Sequence, residues 1–268
     1  MPFGHNAAMV ASFPRRLHRL RSAGLLGAAV LCWLAQYASA QHAAAQVAPL
    51  FQAAIAVAWA MLLLWLWTRW RGIALFAQGA SLLSALWGGA LFTLQWGCIY
   101  LAVDRQPLPV VALGFGLAAL ALQPRLLTST VWPGAATCAS WLPGLASLVG
   151  LLLLGAWSWS RGQGAAWLLS AVAAGSFALG LRQARCARML PQDLLRWRFY
   201  QLCVAALLLP LLAVAFSPSW NFEPDAAALG AMLLQAVCGG LIFPFVLAAA
   251  LPALPQTGDE TPRGAHVV

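Results

Sequence analysis

SALWGGALFTLQWGCIYLAV, residues 84–103, decides the fold class. With Gly79–Leu83 ahead of it, about 24 residues pass without a charge before Asp104, and roughly 20 apolar residues suffice to cross the hydrocarbon of a bilayer. The stretch therefore reads as a membrane-spanning helix. Its small pair Gly88-Gly89 lets a second helix approach closely, and its amide Gln95 needs a partner if it is buried. Far downstream, residues 235–251 repeat the form: GGALF at 88–92 is answered by GGLIF at 239–243. Two such spans, one in each part of the chain, point to a duplicated multi-span protein.

Composition agrees. Of 268 residues, 62% are hydrophobic and 8% charged, against about 25% charged in an ordinary soluble domain. A soluble fold of this size could not hide so much apolar surface, whereas a bilayer removes the need. All 15 basic residues are arginine, and the net charge is +9. In a soluble protein that balance would suggest nucleic acid. Here the arginines fall in short gaps between apolar runs and read as topology signals, so no nucleic-acid partner is expected. The six cysteines are scattered, without CxxC spacing or a histidine cluster, which speaks against a disulfide framework and a zinc site.

The fold class expected is an all-α integral membrane protein of about eight transmembrane helices. Residues 1–22 form a basic cytoplasmic tail carrying Arg15, Arg16, Arg19 and Arg21. Residues 23–40 make the first span. Its basic start and Ala38-Ser39-Ala40 also spell a secretory signal with a cleavage site, but the multi-spanning remainder favours a retained helix. Further spans fall at 49–67, 79–103, 108–122 and 142–159, with residues 123–141 interrupted by Pro124 and Pro133-Gly134. Residues 165–181, 199–216 and 226–251 complete the set, and 252–268 form a polar tail. With an inside N-terminus, only Arg105 and Arg161 of the 15 arginines fall outside. That bias puts both termini in the cytoplasm of a multi-pass inner-membrane protein. The basic segment 182–198 sets topology, and Arg182, Arg185 and Arg188 at helical spacing could also meet anionic headgroups.

The chain divides into a first repeat, 23–159, of about five spans and a shortened second repeat, 165–251, of about three. Pro49 matches Pro191 and the Gly-Gly pairs match each other, while the arginine map gives the halves opposite orientation. That is the inverted repeat common in secondary transporters. The order of features resembles the EamA-type members of the drug/metabolite transporter superfamily over residues 23–254. The resemblance rests on the opening at Gly27–Trp33, Pro49, Ser84–Tyr100, the Pro124 break before LPGLASLVGLLLLG, and the run from Ala165 to Leu254. It implies two inverted five-span repeats with both termini inside, moving small metabolites or drugs. The chain departs from it where an arginine is usual early in the second span, here Phe51-Gln52-Ala53-Ala54, and where a glutamate is usual after the fourth, in residues 133–140. Two spans expected after residue 251 are also missing.

Candidate substrate-binding residues are the polar and aromatic groups within spans: Gln36, Tyr37, Gln95, Trp96, Tyr100 and Gln235. Each has a bland counterpart, since an interhelical hydrogen bond in a membrane contributes only about 0.6 kcal/mol and is common. Trp33, Trp87 and Trp96 could wall an apolar cavity or meet lipid. Gly88, Gly89, Gly239 and Gly240 read as helix-packing positions. Carboxylate relays of the kind that mark ion paths are not encoded in the spans, and HExxH, GxSxG and Walker-type signatures are missing. An enzyme is therefore not expected, nor a cofactor or a metal. The expected function is secondary transport of a small metabolite or drug by alternating access, the alternative being a non-transporting membrane subunit or a degenerate family member. Expected partners are the lipid bilayer and a small-molecule substrate, with a homodimer or a partner subunit left open.

Overall fold

The computed structural model describes residues 5–76, 82–122, 142–186, 191–217 and 221–250. Every regular element among them is a helix. α1 spans His5–Ala43, α2 Pro49–Trp70, α3 Leu82–Arg105, α4 Leu108–Leu122, α5 Leu142–Ser160, α6 Gly164–Cys186 and α7 Pro191–Phe216. α8 (Ala226–Gln235) runs through a π-helical stretch, Ala236–Ile242, into α9 (Phe243–Ala250). The expected interruption at 123–141, with Pro124 and Pro133-Gly134, and the tail at 252–268 lie outside the described residues.

Local chemistry sets the boundaries. Pro49 opens α2, where its missing N–H costs nothing. Gly72, at φ 67°, takes the chain out of α2, and Gly162, at φ 72°, turns it between α5 and α6; both conformations favour glycine. Asp225 caps α8 by accepting the Ala228 N–H at 2.7 Å, satisfying one of the free donors of a helix start.

Five helical segments are long and apolar enough to cross a membrane: Pro49–Trp70, Leu82–Arg105, Gly164–Gln183, Leu194–Phe216 and Ala226–Leu247. This is the pattern of a multi-pass membrane protein. Leu31, Leu66, Leu83, Trp87, Leu153, Leu207 and Leu211 are exposed, as side chains facing lipid would be. Two features differ from the sequence expectation. α1 begins at His5, so most of the basic tail continues the first helix; its Ala, Leu and Arg content favours that conformation. The basic segment 182–198 is no unit of its own, because α6 runs on to Cys186 and α7 already starts at Pro191. Arg198 thereby falls inside a helix.

Packing centres on α3, which lies against α6 and α7; α2 lies against α7 and the π stretch, and α1 against α8, the π stretch and α9. α4 joins α5 and α6 at one side. The glycine pairs mark the tightest crossings. A Cβ on Gly89 would stand 2.5 Å from Val204 Cβ, and one on Gly240 2.5 Å from Ala60 Cβ. Gly88 faces Gln201, Trp197 and Gln183, while Gly239 lies directly on the Gln36 carboxamide.

The connections meet at both ends of the bundle. At one end Val47 and Phe222 form an antiparallel bridge: Ala48 N–H donates to Asn221 O at 3.0 Å and Glu223 N–H to Gln46 O at 3.1 Å. Gln46 and Asp225 reinforce it reciprocally, Gln46 Nε2 donating to Asp225 Oδ2 at 2.9 Å and Asp225 N–H to Gln46 Oε1 at 2.8 Å. At the other end Arg196 Nε donates to Ala74 O at 2.8 Å and Gln183 Nε2 to Ser84 O at 2.6 Å.

Candidate functional site

α3 presents one face of rings to the middle of the bundle. Phe92, Trp96 and Tyr100 recur every four residues, the spacing that stacks side chains on one helix face. Their ring centroids lie 5.2 Å (Phe92–Trp96) and 5.5 Å (Trp96–Tyr100) apart. From Tyr100 the chain of rings passes to Tyr37 of α1 at 6.1 Å, Trp33 at 4.8 Å and Phe115 of α4 at 5.2 Å. It continues through Phe177 of α6 to Phe243, at the start of α9. The rings thus thread five helices, with edge and offset contacts typical of aromatic packing.

Amides are set among these rings. Tyr100 Oη donates to Gln235 Oε1 at 2.9 Å, linking α3 to the last residue before the π stretch. Gln36 (1% exposed) and Gln235 (0% exposed) each keep an amide nitrogen without a hydrogen bond, as does the Trp33 indole. The Gln36 amide faces the Tyr100 hydroxyl without closing a bond. Buried donors of this kind are costly to leave unpaired, and three converge on one region. Of the sequence candidates, the structure brings Gln36, Tyr37, Trp96, Tyr100 and Gln235 together. Gln95 stands apart: it is buried, but five positions before Tyr100 it lies about 140° around α3. One heptad beyond Gly88, it belongs to the side of α3 that carries the glycine.

Sequence reasoning passed over Arg198. The residue is 5% exposed. Its Nε and Nη2 donate to Gly240 O at 3.2 and 3.0 Å, and Nη1 donates to Gln201 Oε1 at 3.1 Å. Its face covers the Phe92 ring at 4.1 Å, the geometry of a cation–π contact. The Gly240 carbonyl is open for a chemical reason. In an α-helix it would receive the N–H four residues on, but that residue is Pro244, which has none. The π geometry belongs to the same break, with Phe243 N–H reaching back to Cys238 O, and such turns occur often at functional sites. The signal in the sequence was the pair Arg198–Gln201, three apart on one helix face, opposite a Gly-Gly-x-x-x-Pro break.

At the bridged end, Asp225 is held below its ordinary carboxyl value of 3.8, chiefly by the Gln46 carboxamide and next by the Ala228 N–H. Among the described residues no group of three or more His, Cys, Asp or Glu could hold a metal. No family model, curated protein or solved structure matches the chain, so the resemblance to EamA-type proteins rests on the residues quoted for it.

Proposed function

We propose that this protein is a secondary transporter, a permease of EamA-like design with eight spans in two inverted halves, moving a small organic molecule by alternating access. α1, α4 and α5 supply the three crossings beyond the five long apolar segments. The observation that carries the reading is the pairing of helices. Exchange the first helix for the sixth, the second for the seventh and the third for the π-broken eighth. The contact of α1 with α8 then becomes that of α6 with α3, α2 with α7 maps onto itself, and α3 with α7 becomes the π stretch with α2. The glycine pairs obey the same exchange, Gly89 on α7 answering Gly240 on α2, and Gly88 near Gln183 answering Gly239 on Gln36. Such symmetry supports rocking of one half against the other. The halves are tied across both ends, as closures that open alternately would be.

A locked closure tests it. Val47 and Phe222 form the non-hydrogen-bonded pair of their bridge, a spacing of about 4.5 Å between Cα atoms that a disulfide accepts. In a chain with its native cysteines replaced, Val47→Cys with Phe222→Cys is expected to stop flux of a metabolite panel in proteoliposomes, and reductant to restore it. Undiminished flux in fully cross-linked protein would refute rocking at this end. A second reading, a non-transporting membrane subunit, is favoured by the filled centre, where Trp96, Tyr37 and Tyr100 are almost completely buried. Absence of any flux from folded protein would select it.

A further inference from the structure

We infer that Arg198 is the recognition group for an organic carboxylate, so that the small molecule bound between the helices is a monoanion; the inference deepens the transporter reading and rests on it for the fate of what is bound. The starting point is a charge without a counter-charge. Among the described residues the partners of Arg198 are a backbone carbonyl, a carboxamide oxygen and a phenyl ring, all neutral. The Gly240 carbonyl needs a donor because of Pro244, but a neutral donor would serve; nothing in that bond calls for a full charge. Buried charges are otherwise paired, and intramembrane charge marks substrate and ion paths.

No described carboxylate is placed to answer it. Asp225 is engaged by Gln46 and Ala228, and Glu223 lies exposed in the α7–α8 connection. Asp104, exposed at the end of α3, lies about 18 Å along that helix from Phe92. The side chain of Asp193 is not among those described. Asp259 and Glu260 lie outside the described residues.

The geometry selects the ligand's chemistry. Three of five guanidinium N–H groups are used, which leaves one on Nη1 and one on Nη2. A pair of that kind meets the two oxygens of a carboxylate. Gln201 Oε1, on the other Nη1 hydrogen, is a neutral acceptor beside that pair. A single positive charge balances a monoanion, while a phosphate dianion would leave a buried negative charge.

The test uses the full chain in detergent, titrated by calorimetry with acetate, benzoate, phenylacetate and indole-3-acetate beside the corresponding neutral amides. The acids are expected to bind about 10- to 100-fold more tightly than their amides, and Arg198→Gln to abolish the preference. Because that variant can lose its fold, Gln201→Glu provides a second arm. It places a carboxylate within reach of Nη1, so it is expected to raise the melting temperature of the free protein and to remove stabilisation by the acids. Equal affinity for acids and amides, no binding by any acid, or a lowered melting temperature in Gln201→Glu would overturn the proposal. So would phosphatidylglycerol alone blocking the acids through Arg198, which would make the site a lipid one. Flux is scored separately. Arg198-dependent binding without flux leaves this proposal standing and removes the transporter reading, whereas flux without preference for acids does the reverse.

Discussion

Gly240→Ala is the sharpest probe of how the two halves fit. The new Cβ would stand 2.5 Å from Ala60 Cβ, where ordinary contact begins at 3.4 Å. The α2 and π backbones must therefore separate by nearly an ångström, because neither Cβ can rotate away. Overpacking of this kind costs about 1–3 kcal/mol. The gain in helix propensity of alanine over glycine offsets about 0.8–1 kcal/mol of it. A net loss of up to about 2 kcal/mol lowers the melting temperature by up to about 8 °C in a chain of this length. Gly175→Ala in α6 is the control, since its Cβ would meet nothing within 4 Å and only the propensity gain remains. The two changes are thus expected to move thermal unfolding in detergent in opposite directions. Adding Ala60→Gly to Gly240→Ala removes the collision, and the double-mutant cycle should return a coupling of about 1–3 kcal/mol. A Gly240→Ala protein as stable as wild type, with coupling near zero, would refute the close approach and the symmetry argument built on it.

Two further predictions concern the polar groups. Tyr100→Phe takes from Gln235 the one hydrogen bond its carboxamide makes among the described residues and should destabilise by about 1–3 kcal/mol; Gln235→Leu added to it should recover much of that in thermal unfolding. At the bridged end the carboxyl of Asp225 titrates below 3.8. Its contribution is therefore complete above that pH and is lost only as pH falls through the lower, folded-state value. The distance between spin labels attached at pH 7 to Val47→Cys and Phe222→Cys should stay constant from pH 7 to about 4 and lengthen below it; lengthening already at pH 6 would refute this.

The sequence made the helices legible and left their partnerships hidden. α4 and the start of α5 coincide with the apolar runs at 108–122 and 142–159, because hydropathy and proline act locally. The glycine pairs announced close crossings without saying which helices cross. That depends on contacts such as Gly89–Val204, which lie far apart in the chain and leave no periodic trace. Arg198 was hidden by its neighbours. In a run of five nearby arginines it counts as a topology charge, and only the helix start at Pro191 carries it a further two turns inward. Gln95, the most conspicuous polar residue of α3, shares a helix with Tyr100 but not a face. A one-residue difference in register decides which of the two meets α8.

The buried guanidinium of Arg198 in α7 also has an electrical side. A charge held within the span sits in the membrane potential, and one elementary charge crossing the full field exchanges about 2.3 kcal/mol per 100 mV. Movement of Arg198 along the membrane normal therefore displaces charge, and on the proposal above a bound monoanion would cancel that contribution. On that proposal the resting potential would bias the empty protein through this charge and leave the loaded one less affected.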